Sequence, residues 1–178
     1  MVKLILLGGG KIGKSNPLGD SYAYQDFIQY VIDAEELGFE SAFMVEHHFT
    51  GSGQLSASLA LLTYLAARTK TIRLGSAVIV LPWHNPVLLA EQVGTLASLA
   101  QGRFIMQCGI GDAHQSRGHG ADPRQRAARF EESLAICRSP VREVRSAAGE
   151  RAITRLAKMS PPTILVLRIA VRVPYSTA

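Results

Sequence analysis

Four apolar runs recur along the chain at about thirty-residue intervals, the spacing of a strand–helix–strand unit. They are KLILLG from Lys3, SAFMVE from Ser41, TIRLGSAVIVL from Thr71 and RFIMQCG from Arg103. Each is short and bounded by Gly or polar residues, which predicts a strand. Between them the apolar positions switch to a helical period. Tyr24, Phe27, Ile28, Val31, Ala34 and Leu37 share one helix face, and Gly38 suits the left-handed position after a helix end. Ser56 to Arg68 is rich in Ala and Leu and predicts a helix buried on most sides. A third helix opens with Asn85 as cap and Pro86 at its first position, carries the stripe Leu89, Val93, Leu96 and Ala100, and ends at Gly102. Asp122 and Pro123 open a fourth, with Ala127, Phe130, Leu134 and Cys137 as its stripe.

Strand, helix, strand at this spacing means parallel βαβ connections. Four units suit either half of a (β/α)₈ barrel or a doubly wound sheet. Both folds place ligands at the C-terminal ends of the strands. That rule selects four loops, at residues 8–20, 46–55, 81–85 and 109–121.

Composition narrows the class. The chain has 178 residues, of which 47% are hydrophobic, enough for the core of one ordinary domain. Cys108 and Cys137 form no C-x-x-C pair, so neither a disulfide scaffold nor a zinc site is expected. No apolar run has the length of a signal peptide or a membrane span. The expectation is a soluble cytoplasmic protein. The net charge of +5 invites a nucleic-acid reading, but the excess sits in the tail. Residues 138–178 carry Arg138, Arg142, Arg145, Arg151, Arg155, Lys158, Arg168 and Arg172 against Glu143 and Glu150. This tail lacks aromatic interleaving and nucleic-acid motifs, so neither nucleic acid nor membrane is expected as a partner.

Gly8 through Ser15 matches the phosphate-binding pattern G-x-x-x-x-G-K-S after the first predicted strand. That motif works when its Lys and Ser open a helix whose N–H groups cradle phosphate. Here Asn16-Pro17-Leu18-Gly19 follows, a turn-forming sequence, and the next helical period begins near Tyr24. The expectation is a flexible Gly-rich loop without specific ATP or GTP binding.

The other strand ends carry more chemistry. Glu46, His47, His48 and Phe49 follow the second strand. Imidazole titrates near neutral pH, so it can move protons or hydrogen-bond a reactive group. The same residues also make a plausible polar loop end with no chemistry. Adjacent residues of an extended chain point to opposite sides, so at most one His is expected to face a given ligand. Trp83 and His84 follow the third strand, where Trp83 stacks on a flat ring or lines a pocket, or equally plugs the barrel mouth. Gly109 and Gly111 follow the fourth, where they let backbone approach a ligand closely. No His, Cys or acidic spacing predicts a metal site.

GFESAFMVEHHF, TKTIRLGSAVIVLPWHNPVLLAEQVGTLASLAQGRF and RFEESLAIC, in that order, resemble the bacterial luciferase-like, flavin-dependent monooxygenase family. The resemblance covers roughly residues 1–137 and favours the (β/α)₈ barrel, here about its first four βα units. It implies reduced FMN, or the deazaflavin F420 in some branches, bound at the C-terminal face. FMN members use O₂ to oxidise a small organic substrate and often take reduced flavin from a separate flavin reductase. By the same resemblance His47 assists the chemistry and Glu46 lies near the flavin. Ala77 and Val78, often joined by a non-proline cis peptide in the family, lie against the ring. Luciferases carry Cys-Arg where this chain has Gly109-Ile110, with Cys108 one residue earlier.

Beyond residue 138 the βα rhythm fades, and only TILVLRIAV at 163–171 suggests a strand. Residues 138–178 therefore read as a divergent basic tail, a truncated or frame-shifted continuation. On that reading the chain alone is expected to bind flavin poorly and to self-associate as a homo-oligomer, since phosphate docking in such barrels uses later loops. A non-catalytic half-barrel is the alternative.

Overall fold

The computed structural model describes residues 5–8, 18–50, 53, 55–138 and the backbone of 167–170. The chain divides into two compact units. One comprises Met1–Ile79, Leu96–Gln107 and Arg168–Ala178, and the other Val80–Thr95 and Cys108–Leu167.

The first unit is built on parallel strands β1 (Ile5–Gly8), β2 (Ser41–Met44), β3 (Arg73–Ser76) and β5 (Phe104–Gly109, of which its last two residues belong to the other unit). They lie side by side in chain order. Ile5 faces Ser41 and Ser41 faces Arg73, while Leu74 faces Phe104. Each of these four strands joins on the same side of the one before, which is how a barrel is wound, whereas a doubly wound sheet reverses its strand order; the two-residue β4 (Ile79–Val80) lies beyond β5 in the sheet. Strand β6 (Leu167–Ala170), within the stretch where one strand was expected, pairs with β5.

Helix α1 (Asp20–Glu36) links β1 to β2 and starts four residues before the predicted period. Ala23, Phe27, Ile28, Val31 and Ala34 form its buried face. Leu37 was predicted to belong to that face but is 75% exposed, because it is the C-cap residue and the chain turns away there. Gly38 follows with φ +81°, the conformation a side chain disfavours. Helix α2 (Ser58–Arg68) buries one face through Leu61, Leu62, Leu65 and Ala66. It is not buried on most sides, since Ala60, Tyr64 and Ala67 face outward. The third apolar run, expected as one strand, divides into β3 and the two-residue β4 (Ile79–Val80). Between them the Ala77–Val78 peptide is cis.

Helix α3 (Pro86–Leu99) opens as predicted: Asn85 Oδ1 accepts from the N–H groups of Val87 and Leu88, both at 3.1 Å. Leu89, Val93, Leu96 and Ala100 are all buried. In the second unit a short helix α4 (Ala113–Gly118), absent from the sequence reading, is capped by Asp112, whose Oδ1 accepts from Gln115 N at 2.8 Å. Asp122 caps a 3₁₀ turn, Pro123–Gln125, before α5 (Arg126–Arg138). The inward face of α5 is Phe130, Ser133 and Ile136, with Ala127, Leu134 and Cys137 only partly buried.

Two charged clamps fix the α2–β3 connection. The Glu35 carboxylate accepts from Thr71 N at 2.6 Å, Ile72 N at 2.8 Å, Lys70 N at 2.9 Å and Thr71 Oγ1 at 3.0 Å. Arg103 donates to the carbonyls of Ala66, Ile72 and Thr69 at 2.8, 3.1 and 3.2 Å, and to Thr69 Oγ1 at 3.0 Å. Burial pushes the Glu35 carboxyl up, but the hydrogen bonds from Ile72, Thr71 and Lys70 outweigh it and hold the pKa below its ordinary 4.5. A lowered folded pKa contributes stability that is complete above the unfolded value and is lost as pH falls through the folded one. Glu35→Gln is therefore expected to cost about 1–2 kcal/mol at pH 7. The gap to the wild type should narrow as pH drops below 4.5. Urea unfolding at several pH values checks this; a gap constant down to the acid transition would refute the clamp's charge dependence.

Candidate functional site

The strand ends of the first unit are tied to one another by backbone hydrogen bonds that continue past the ladders. Val45 N reaches Gly8 O at 3.4 Å, and Ala77 N donates to Met44 O at 2.7 Å. The Ala77–Val78 peptide therefore lies beside the end of β2, from which Glu46, His47 and His48 follow directly. Ser76 completes the edge toward β5. Its buried hydroxyl donates to Gln107 O at 2.9 Å and accepts from Gln107 N at 3.0 Å, so one side chain meets both backbone groups there.

The two imidazoles diverge, as alternation requires. The Glu46 side chain is only 1% exposed, and its Oε1 accepts from His48 Nε2 at 3.1 Å. With Glu46 ionised its oxygen can only accept, and that nitrogen carries hydrogen. His47 is exposed, with Nδ1 3.3 Å from Gly53 O. A carbonyl likewise only accepts, so Nδ1 bears the proton in that bond and the neutral ring keeps its lone pair on Nε2. The loop is tied by His47 N to Leu55 O at 3.1 Å. Phe49 then takes φ 58°, an uncommon conformation for a bulky residue.

One face of the sheet carries a cavity of about 450 Å³, within the size range of small-molecule sites. It extends from Glu40 and Arg73, at the start of the strands, past Phe43 and Leu7 to Ala77 and Gln107. Ala77 is small and Gln107 brings an amide, so this wall has room for a flat ring and a hydrogen-bonding partner for its edge.

Trp83, His84, Gly109 and Gly111 belong to the second unit. Trp83 donates its indole N–H to Ser116 Oγ at 3.1 Å. A Cβ at Gly111 would stand 2.8 Å from Trp83 Cζ2. The close approach that Gly111 permits in this structure is to an aromatic ring of its own unit. Cys108 is buried, and burial, with Cys137 nearby adding to it, pushes its thiol up to about 12. It remains a neutral thiol at physiological pH and is no nucleophile. Ser76, Gln107, Ser116 and His119 escaped the sequence reading. Only Asp112-Ala113-His114-Gln115, a capping residue before helix formers, signalled the segment that holds two of them.

These features define a parallel α/β chain of barrel type with an acid–imidazole cluster at its strand ends. The oxygenating constituent of 3,6-diketocamphane monooxygenase from Pseudomonas putida, solved with FMN, shares this fold at TM-score 0.70 and 22% identity, over 76% of this chain and 38% of that one. A family model, luciferase-like monooxygenase, matches residues 9–170, and the chain belongs to that family. It is 32% identical over 123 residues to 4-hydroxyprotoasukamycin monooxygenase of Streptomyces nodosus subsp. asukaensis, covering 68% of this chain. It is 39% identical over 113 residues to a luciferase-like monooxygenase of Escherichia coli K12, covering 61% of this chain. The chain spans about a third of the length of these curated relatives, 32% and 31%.

Removing the imidazole of His48 deletes one partner of a buried carboxylate, while removing that of His47 deletes an exposed contact. His48→Ala should cost about 1–3 kcal/mol and His47→Ala less than about 0.5 kcal/mol. Thermal and urea unfolding of the two variants decide the matter; equal losses would sink this division of labour.

Proposed function

We propose that this chain forms part of the flavin face of a luciferase-like monooxygenase, oxidising a small organic substrate with O₂. The observation that carries the reading is the 2.7 Å bond from Ala77 N to Met44 O, which sets the end of β3 beside Glu46-His47-His48. Ala77 and Val78 would lie against the isoalloxazine ring of FMN, with Glu46 nearby. Reduced flavin supplies the electrons by which O₂ becomes an oxidant. His47 holds its proton at Nδ1 toward Gly53 O and offers Nε2 to take a proton from the reacting group. His48, tied to Glu46, keeps that carboxylate in place and is the supporting member of the pair. Trp83 and His84 would form a wall for the apolar part of the substrate, and Gly109 leaves the end of β5 without a side chain. A flavin reductase and a second copy of the chain are the partners this reading calls for.

Titration with FMN and, separately, with F420, followed by cofactor fluorescence, tests the cofactor. Tighter binding of F420 would move the chain to the deazaflavin branch. In a full-length barrel that carries residues 1–137 of this chain, with reduced FMN supplied by a reductase and a straight-chain aldehyde as probe substrate, His47→Ala should lower product formation by roughly a hundredfold. FMN affinity should change by less than about twofold. A larger catalytic loss at His48 than at His47, after correction for the folded fraction, would contradict the assignment.

A further inference from the structure

The indole of Trp83, the chain's single tryptophan, is gripped by one short stretch of its own unit, residues 111–119. Its N–H donates to Ser116 Oγ at 3.1 Å. Ser116 is fully buried, and its hydroxyl hydrogen is committed to Asp112 O at 2.6 Å, which turns the oxygen lone pairs toward the indole. The imidazole of His119 lies flat on the indole, with ring centroids 4.7 Å apart and planes 4° from parallel. Gly111, at φ +70°, brings backbone against the same ring. A Cβ there would stand 2.5 Å from Val80 Cγ1 and 2.8 Å from Trp83 Cζ2. The hydrogen bond fixes rotation of the ring in its plane, the stack fixes its tilt, and the glycine fixes how near the chain comes.

We infer that Ser116 and His119 are positioning residues that set the orientation of Trp83, and through it the selectivity of the substrate wall. The inference rests on the proposed reading of Trp83 as a substrate-pocket residue. Ser116 and His119 act on selectivity only through the indole. The segment after β5 thereby determines which small apolar substrate is accepted, and changes at 116 or 119 retune that choice.

The single tryptophan makes the test direct. Hydrogen bonding to the indole N–H lowers the energy of its excited state, and a stacked imidazole quenches it. In the purified chain, Ser116→Ala should blue-shift the Trp83 emission and lower its anisotropy, with Ser116→Thr restoring both. His119→Ala should raise the emission yield. Far-UV circular dichroism should be unchanged in all three. Binding of two probes, a straight-chain alkanal and limonene, is then followed by the same emission. The ratio of their affinities should change by roughly threefold to tenfold in Ser116→Ala and return in Ser116→Thr. An unliganded Ser116→Ala spectrum identical to that of the wild type overturns the inference, whatever the probes do. A changed spectrum with an unchanged affinity ratio overturns its selectivity half. If the variants behave as expected without ligand but neither probe perturbs wild-type Trp83, the substrate-wall reading fails while the positioning of Trp83 by Ser116 and His119 stands.

Discussion

Residues 66–72, from the last turn of α2 to the start of β3, are held by one anion and one cation of complementary function. Glu35, near the end of α1, accepts from the N–H groups of Lys70, Thr71 and Ile72. Arg103, just before β5, donates to the carbonyls of Ala66, Thr69 and Ile72. A helix end entering a strand leaves both donors and acceptors without regular partners. Here a carboxylate takes the donors and a guanidinium fork takes the acceptors, and charge-assisted bonds of this kind exceed ordinary amide pairs in strength. The two clamps arise from elements on either side of the connection, so β3 enters the sheet fixed with respect to both neighbours.

That entry determines the site. With Arg73 opposite Ser41 and Leu74 opposite Phe104, Ser76 falls opposite Met44 and within reach of Gln107. The next residue, Ala77, then meets Met44 O. A slip of one residue would exchange the two faces of β3 and send Ala77 away from the cavity wall it shares with Phe43 and Gln107. The position of the cis peptide beside Glu46-His47-His48 is in this sense a consequence of Glu35 and Arg103, neither of which belongs to the site.

The elements that the sequence disclosed are those with a local cause. Asn85-Pro86 specifies a helix start through its own cap geometry, and the stripe Leu89, Val93, Leu96 and Ala100 needs only a helical period. The parallel strand order and the cluster after β2 follow from spacing. Glu35 was invisible because it sits among Glu36, Asp33 and other helix-surface charges, and only a partner some 35 residues away distinguishes it. Ser76 and Ser116 look like ordinary small polar residues, although each meets a group more than thirty residues away in the chain, Gln107 and Trp83 respectively. The third apolar run reads as one strand because its hydrophobicity is continuous, whereas its backbone changes course at Ala77–Val78. Apart from Gly8, the opening phosphate-binding pattern falls on residues 9–15, outside the described residues. What lies after it is a helix beginning at Asp20, five residues beyond Ser15.

Glycine at a strand end has two meanings in a sequence: room for a ligand or room for a neighbouring side chain. The space over the missing Cβ separates them. At Gly75 that space is filled by the ring of Phe43, with Ile105 O 2.9 Å away, so the residue that looks like a weak point in β3 is what lets an aromatic ring lie flat across the sheet. At Gly111 it is filled by Val80 and the indole of Trp83. In both places a backbone stripped of its side chain receives an apolar surface from the same unit, and an aromatic ring gains a fixed seat. A ring so seated keeps its orientation without losing conformational entropy when something binds. The glycines thus act on the aromatic surfaces beside them, by holding those rings rigid.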